Sequence, residues 1–131
     1  RVTTLVVTTG PAGQPPALGP GERPAGSARR GHRRAARLAA RRLAAARKPV
    51  WVRFVLVPGW TDDLAEVERI AAFAAGLGNV ERVDVLPFHQ MGRFKWEKLG
   101  IDYPLKDTQP PSRGTTSEAI AIFRAAGLKA Y

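Results

Sequence analysis

An α/β fold with parallel strands is what this sequence predicts, and three observations carry that expectation. Val50–Val57, "VWVRFVLV", is an almost continuous apolar run, the pattern of a strand covered on both faces rather than one. Apolar residues then recur at helical spacing through Leu64, Val67, Ile70, Ala71, Ala74 and Leu77. A second β-rich run, "VERVDVLP", follows within about 40 residues of the first, and strand, helix and strand at that spacing form a crossover unit whose strands lie parallel.

Taken in order, "VTTLVVTT" at residues 2–9 is β-branched enough for a strand, but a Gly- and Pro-dense stretch follows it immediately. Residues 1–31 are therefore expected to be irregular, since so few large apolar side chains cannot offset the entropy of ordering. From residue 32, "HRRAARLAARRLAAARK" favours a helix with alanines on one face and arginines on the other. Pro58 and Gly59 end the apolar strand, and Thr61 or Asp63 can cap the next helix, with Glu66 placed for a capping box. A strand over about 81–87, a long loop over 89–113 and a last helix from about Thr116 to Ala126 complete the chain, with Gly127 as the stop. One folded unit over 32–131 is the expected domain organisation.

The chain has 131 residues and no cysteine, which excludes a disulfide scaffold, a thiol nucleophile and any thiolate-held metal site. No apolar run approaches the roughly 18–20 residues a membrane helix needs, so a cytoplasmic protein with no membrane partner is expected. The net charge of +10 is unevenly placed. Residues 1–49 hold eleven Arg and Lys against Glu22 alone, whereas residues 50–131 hold ten basic and ten acidic side chains. The arginine run lacks interleaved aromatics, so it reads as a solvated helix face before it reads as a nucleic-acid site. A small basic nucleic-acid-binding module stays open as an alternative, with steep salt dependence as its signature.

Two residues stand out as candidate ligand groups, and no catalytic or metal-ligating residue does. Arg53 interrupts the apolar strand and shares a face with Trp51, Val55 and Val57; it could bind the carboxylate or phosphate of a ligand, or pair with a structural acid. His89 lies just beyond the second strand, where parallel α/β units bind ligands, and could serve a ligand or be structural. Asp62 and Asp63 resemble a carboxylate pair but sit where a helix start wants negative charge, so capping is the better reading.

From Lys48 onward, "VWVRFVLVPGWTDD" and "LPFHQMGRFKWEKLG", with "PPS" and the last helix, resemble the C-terminal part of the pyruvate formate-lyase activating enzymes of the radical-SAM superfamily. The resemblance implies a fragment of a partial (β/α)6 TIM-like barrel. In that family a 4Fe-4S cluster cleaves S-adenosylmethionine, and the resulting radical takes a hydrogen from a glycine of the partner, pyruvate formate-lyase. On matching positions it makes Arg53 and His89 contacts of S-adenosylmethionine. It places the loop after His89 at the barrel mouth, where the partner enters. The family's C-x3-C-x2-C loop has no counterpart here, so the chain reads as an inactive fragment. A non-catalytic docking partner of a glycyl-radical enzyme is the remaining alternative.

Overall fold

A computed structural model describes the backbone of residues 3–7 and 25–131, with side chains described from residue 34 onward. Three parallel strands form one sheet in the order β1 (Thr3–Val7), β2 (Val50–Leu56), β3 (Val80–Pro87). Helix α1 (Ala25–Ala45) connects β1 to β2, and α2 (Leu64–Ala75) connects β2 to β3. The strand–helix–strand unit predicted over residues 50–87 is present, as is the α/β class. The described sheet is open and parallel, with helices as its crossovers.

The core lies on one side of this sheet. Val50, Val52, Phe54 and Leu56 of β2 and Val83 and Val85 of β3 pack against Val67 and Ala71 of α2 and against Ala119 and Phe123 of α4 (Arg113–Ala125). Phe54 and Phe123 meet edge to face, with ring centroids 5.5 Å apart. The expectation that both faces of β2 are covered is corrected. Among the described residues, helices cover only the face of Val52, Phe54 and Leu56, while Arg53 on the other face is exposed. The apolar run is continuous because Trp51 and Val55 line the open side, not because a second helical layer covers them.

Local chemistry sets the boundaries. The Asp63 carboxylate caps α2, accepting from the amides of Ala65 and Glu66 at 2.9 and 3.2 Å. Asp62 accepts from the Gly59 amide at 2.8 Å, holding a turn in which Gly59 has φ +72°. Both aspartates are engaged in structure, but only Asp63 is the cap expected of the pair; Asp62 holds the turn before it. At the end of α1, Arg47 takes the left-handed conformation (φ 50°) usually given to glycine, while the Lys48 amide donates back to Leu43 O.

Four expectations change in detail. The irregular reading of residues 1–31 gives way at both described ends: Thr3–Val7 pairs in parallel with β2, and α1 begins at Ala25. Backbone pairing orders the first, and an Ala- and Arg-rich sequence extends the second. The remainder of that stretch lies outside the described residues. The loop over 89–113 contains a 3₁₀ turn (Gln90–Gly92) and a short helix, α3 (Arg93–Lys98). The last helix begins at Arg113, before Thr116, because Ser112 caps it by accepting from the Thr115 amide at 3.0 Å. The terminal "LKAY" adds to the sheet: Val83 N–H donates to Lys129 O, Val85 N–H to Tyr131 O, and Ala130 bridges Val83 in parallel.

Of the basic helix, Ala40 is buried, Leu43 packs on the core, and Arg37 stacks on Phe73 with its guanidinium 5.1 Å from the ring centroid. Part of the arginine run therefore serves packing. Among the described residues no helix is long and apolar enough to cross a membrane.

Candidate functional site

The open face of the sheet gathers the polar chemistry of the chain. Register pairs Trp51 with Arg82, Arg53 with Asp84 and Val55 with Leu86, so alternate residues of β2 and β3 share that face. Asp84 sits between two guanidinium groups. Its Oδ1 accepts from Arg82 Nε at 2.6 Å, and its Oδ2 lies 3.9 Å from Arg53 Nε. The first is a charge-assisted hydrogen bond and the second only an ion pair. The Asp84 side chain is 13% exposed and that of Arg53 50% exposed.

That asymmetry decides what Arg53 can do. Arg82 is held from three sides: by Asp84, by the Trp51 ring at 5.3 Å and by the Tyr131 ring at 4.8 Å. Trp51 is itself fixed, its indole N–H donating to Glu81 at 3.3 Å. Arg53 has its carboxylate at arm's length, and among the described residues its hydrogen-bond donors have no acceptor on this solvated face. The sequence left two readings of Arg53 open, an anion ligand and a structural ion pair. The structure supplies the acid, Asp84, but in a geometry that satisfies Arg82 first.

The strand ends beyond this face are rigidly built. Thr61 is buried, accepts from the Val57 amide at 2.6 Å and donates to Val55 O at 2.7 Å, which locks the Pro58–Gly59–Trp60 turn onto the end of β2. At the end of β3, Phe88 N–H continues the ladder to Leu56 O, and the exposed His89 follows in an extended conformation. The His89 Nδ1 accepts from the Met91 amide at 3.4 Å, capping the 3₁₀ turn. Its Nε2 has no protein partner among the described residues. Arg53 and His89 do not touch. His89 lies five positions after Asp84, the register partner of Arg53, and past the end of β3 at Pro87, so it stands at the carboxyl end of the sheet while Arg53 lies within the strand.

Two members of the site, Arg82 and Asp84, were missed in the sequence reading. The signal was there in "RVDVL", where Arg82, Asp84 and Leu86 alternate with the buried Val83 and Val85. Among the described residues no group of three or more His, Cys, Asp or Glu side chains could hold a metal ion. What the arrangement offers is one anion-directed guanidinium on a sheet face and one imidazole at the carboxyl end of the next strand.

No family model matches the chain. It is 39% identical over 80 residues to the pyruvate formate-lyase 1-activating enzyme of Escherichia coli, covering 61% of this chain and 32% of that protein. It is 46% identical over 91 residues to the pyruvate formate-lyase-activating enzyme of Staphylococcus aureus, covering 69% and 35%. The fold is similar to the crystal structure of a domain of the pyruvate-formate lyase-activating enzyme from Bacteroides vulgatus, with a TM-score of 0.58 and 27% identity over 73% of this chain and 50% of that one. The chain spans about a third of the length of the curated relatives it matches.

Proposed function

Because this chain is homologous to a portion of the pyruvate formate-lyase-activating enzymes, we infer that its open sheet face is part of an S-adenosylmethionine site and that Arg53 receives the carboxylate of that ligand. The observation that carries the reading is the half-exposed Arg53 guanidinium, whose partner Asp84 stands 3.9 Å away and is already engaged by Arg82. A guanidinium presents paired N–H donors in the geometry a carboxylate accepts. Asp84 and Arg82 act as positioning residues: the carboxylate limits where Arg53 can swing, and the Trp51–Arg82–Tyr131 stack limits where Asp84 can swing. His89, beyond the carboxyl end of β3, would meet another part of the ligand through its outward ring nitrogen.

In this reading a complete enzyme of the kind uses S-adenosylmethionine and a 4Fe-4S cluster to place a glycyl radical on pyruvate formate-lyase. The residues present fit the ligand and do not fit the cluster. The chain contains no cysteine, and thiolates are what such clusters require. No redox step is therefore assigned to these residues. The role left to the chain is ligand orientation on the sheet and reception of a protein partner at the strand ends.

Calorimetric titration of the full chain tests this reading. Arg53→Ala is expected to weaken S-adenosylmethionine binding about 10- to 100-fold, the loss of a charge-assisted contact. The same substitution should leave 5′-methylthioadenosine, which lacks the carboxylate, essentially unchanged. Equal losses for both ligands, or no loss for either, would remove Arg53 from the carboxylate site.

A further inference from the structure

We propose that Tyr131 is a positioning residue of the ligand site: the terminal bridge lays its ring over Arg82, which keeps Asp84 turned toward Arg82 and leaves the guanidinium of Arg53 free to take a carboxylate. The inference deepens the function proposed above and rests on its reading of Arg53.

Asp84 is contested by two cations. Arg82 Nε lies 2.6 Å from its Oδ1 and Arg53 Nε 3.9 Å from its Oδ2, so a movement of about 1 Å would bring the second pair within hydrogen-bond distance. An Arg53 drawn into that pair would meet an incoming carboxylate with part of its fork already used. Whatever fixes Arg82 therefore sets how much of Arg53 is left for a ligand.

Two rings fix Arg82, and they come from different places. Trp51 belongs to β2 and is itself held by Glu81. Tyr131 lies outside the three strands, and a series of contacts brings it to the site. Gly127 turns the chain after α4 with φ 85°, Leu128 packs on the core, and Arg124 Nε donates to Ala130 O at 3.0 Å. Ala130 is buried and pairs with Val83, so alternation sends Lys129 and Tyr131 to the open face. The Tyr131 N–H donates to Val83 O at 3.0 Å and its carbonyl accepts from Val85 N–H at 2.8 Å, which fixes the backbone on both sides of the residue alongside β3. Tyr131 is nevertheless 57% exposed, so burial does not account for where its ring lies, whereas the guanidinium of Arg82 at 4.8 Å does. A cation–π contact at an exposed site shifts an equilibrium by about two- to fivefold, and that is the share of the Arg82–Asp84 pairing assigned to this ring.

Nuclear magnetic resonance of the nitrogen-labelled full chain, without ligand, reads which guanidinium holds Asp84. The measurement is solvent exchange of the Arg53 and Arg82 Nε–H groups, assigned with Arg53→Lys and Arg82→Lys. Tyr131→Ala should speed exchange at Arg82 and slow it at Arg53, each by about two- to fivefold, and Tyr131→Phe, which keeps the ring, should restore both. Calorimetric titration supplies the second readout. Tyr131→Ala should weaken S-adenosylmethionine binding by a similar factor and leave 5′-methylthioadenosine in place. In the Asp84→Asn background, where no carboxylate competes for Arg53, the same substitution should cost nothing further. A tyrosine that only supported the fold would lower affinity for both ligands in both backgrounds, and that result overturns the proposal. Exchange rates that Tyr131→Ala does not move overturn it as well, and they leave Arg53 in the carboxylate site if Arg53→Ala still weakens S-adenosylmethionine binding. Exchange rates that move while S-adenosylmethionine affinity stays constant remove Arg53 from that site, and with it the ligand role of Tyr131.

Discussion

Phe54→Ala is expected to cost about 3–5 kcal/mol of folding stability, the range for deleting a fully buried aromatic ring. Phe54 has no exposed surface, sits in the central strand and packs edge to face on the equally buried Phe123. The deletion would remove the contact that fastens α4 to the sheet, and the cavity faces elements that cannot close over it without shifting the strand. Domains of this kind are stable by about 5–15 kcal/mol, so the variant should be largely unfolded at modest urea concentrations. Urea melts followed by circular dichroism measure the shift. Phe54→Leu, which keeps most of the volume, should lose less than half as much. A double-mutant cycle with Phe123→Ala should show a coupling of about 0.5–1.5 kcal/mol. A cost below about 1 kcal/mol for Phe54→Ala would mean that this face is not the core.

The second large effect belongs to Thr61. Valine matches its shape but not its hydroxyl, so Thr61→Val leaves the Val57 amide and the Val55 carbonyl without their buried partner. A buried donor left unmade costs about 1–3 kcal/mol, more than the bond itself contributes. Thr61→Ser keeps the hydroxyl and should recover most of that loss. The turn at Pro58–Trp60 hangs on this hydroxyl, so Thr61→Val should also weaken ligand binding at the strand end beyond its effect on stability. If valine were tolerated and serine were not, packing rather than hydrogen bonding would be the role of this residue.

Much of this was legible in the sequence. The α/β class and the strand–helix–strand unit followed from apolar periodicity, and Asp63 was readable as a cap because a carboxylate there satisfies amides that any helix start exposes. The one-sided burial of β2 was not. A central strand with an aromatic and a valine on its open side looks the same in sequence as one buried twice, and only Arg53 hinted otherwise. The partner of Arg53 was hidden for a different reason: Asp84 lies 31 residues away in sequence and is brought opposite by a register no local pattern fixes. The terminal bridge went unread because three or four residues are too few to show a period, and their pairing is a property of β3.

The pairing of β1 with β2 bears on the order in which the chain assembles. Positions 3 and 50 must meet across α1, while β2 and β3 are joined by one compact crossover. Longer closures cost more entropy before contacts offset them, so the β2–α2–β3 unit should form first and β1 should add last. At equilibrium the same hierarchy runs in reverse, and the β1 edge should open without global unfolding. Hydrogen exchange would then find amides of residues 3–7 exchanging well ahead of those of Val52 and Phe54. Native folding of this chain would thus be two events, a nucleus at β2, α2 and β3 and a later edge that could be lost without losing it.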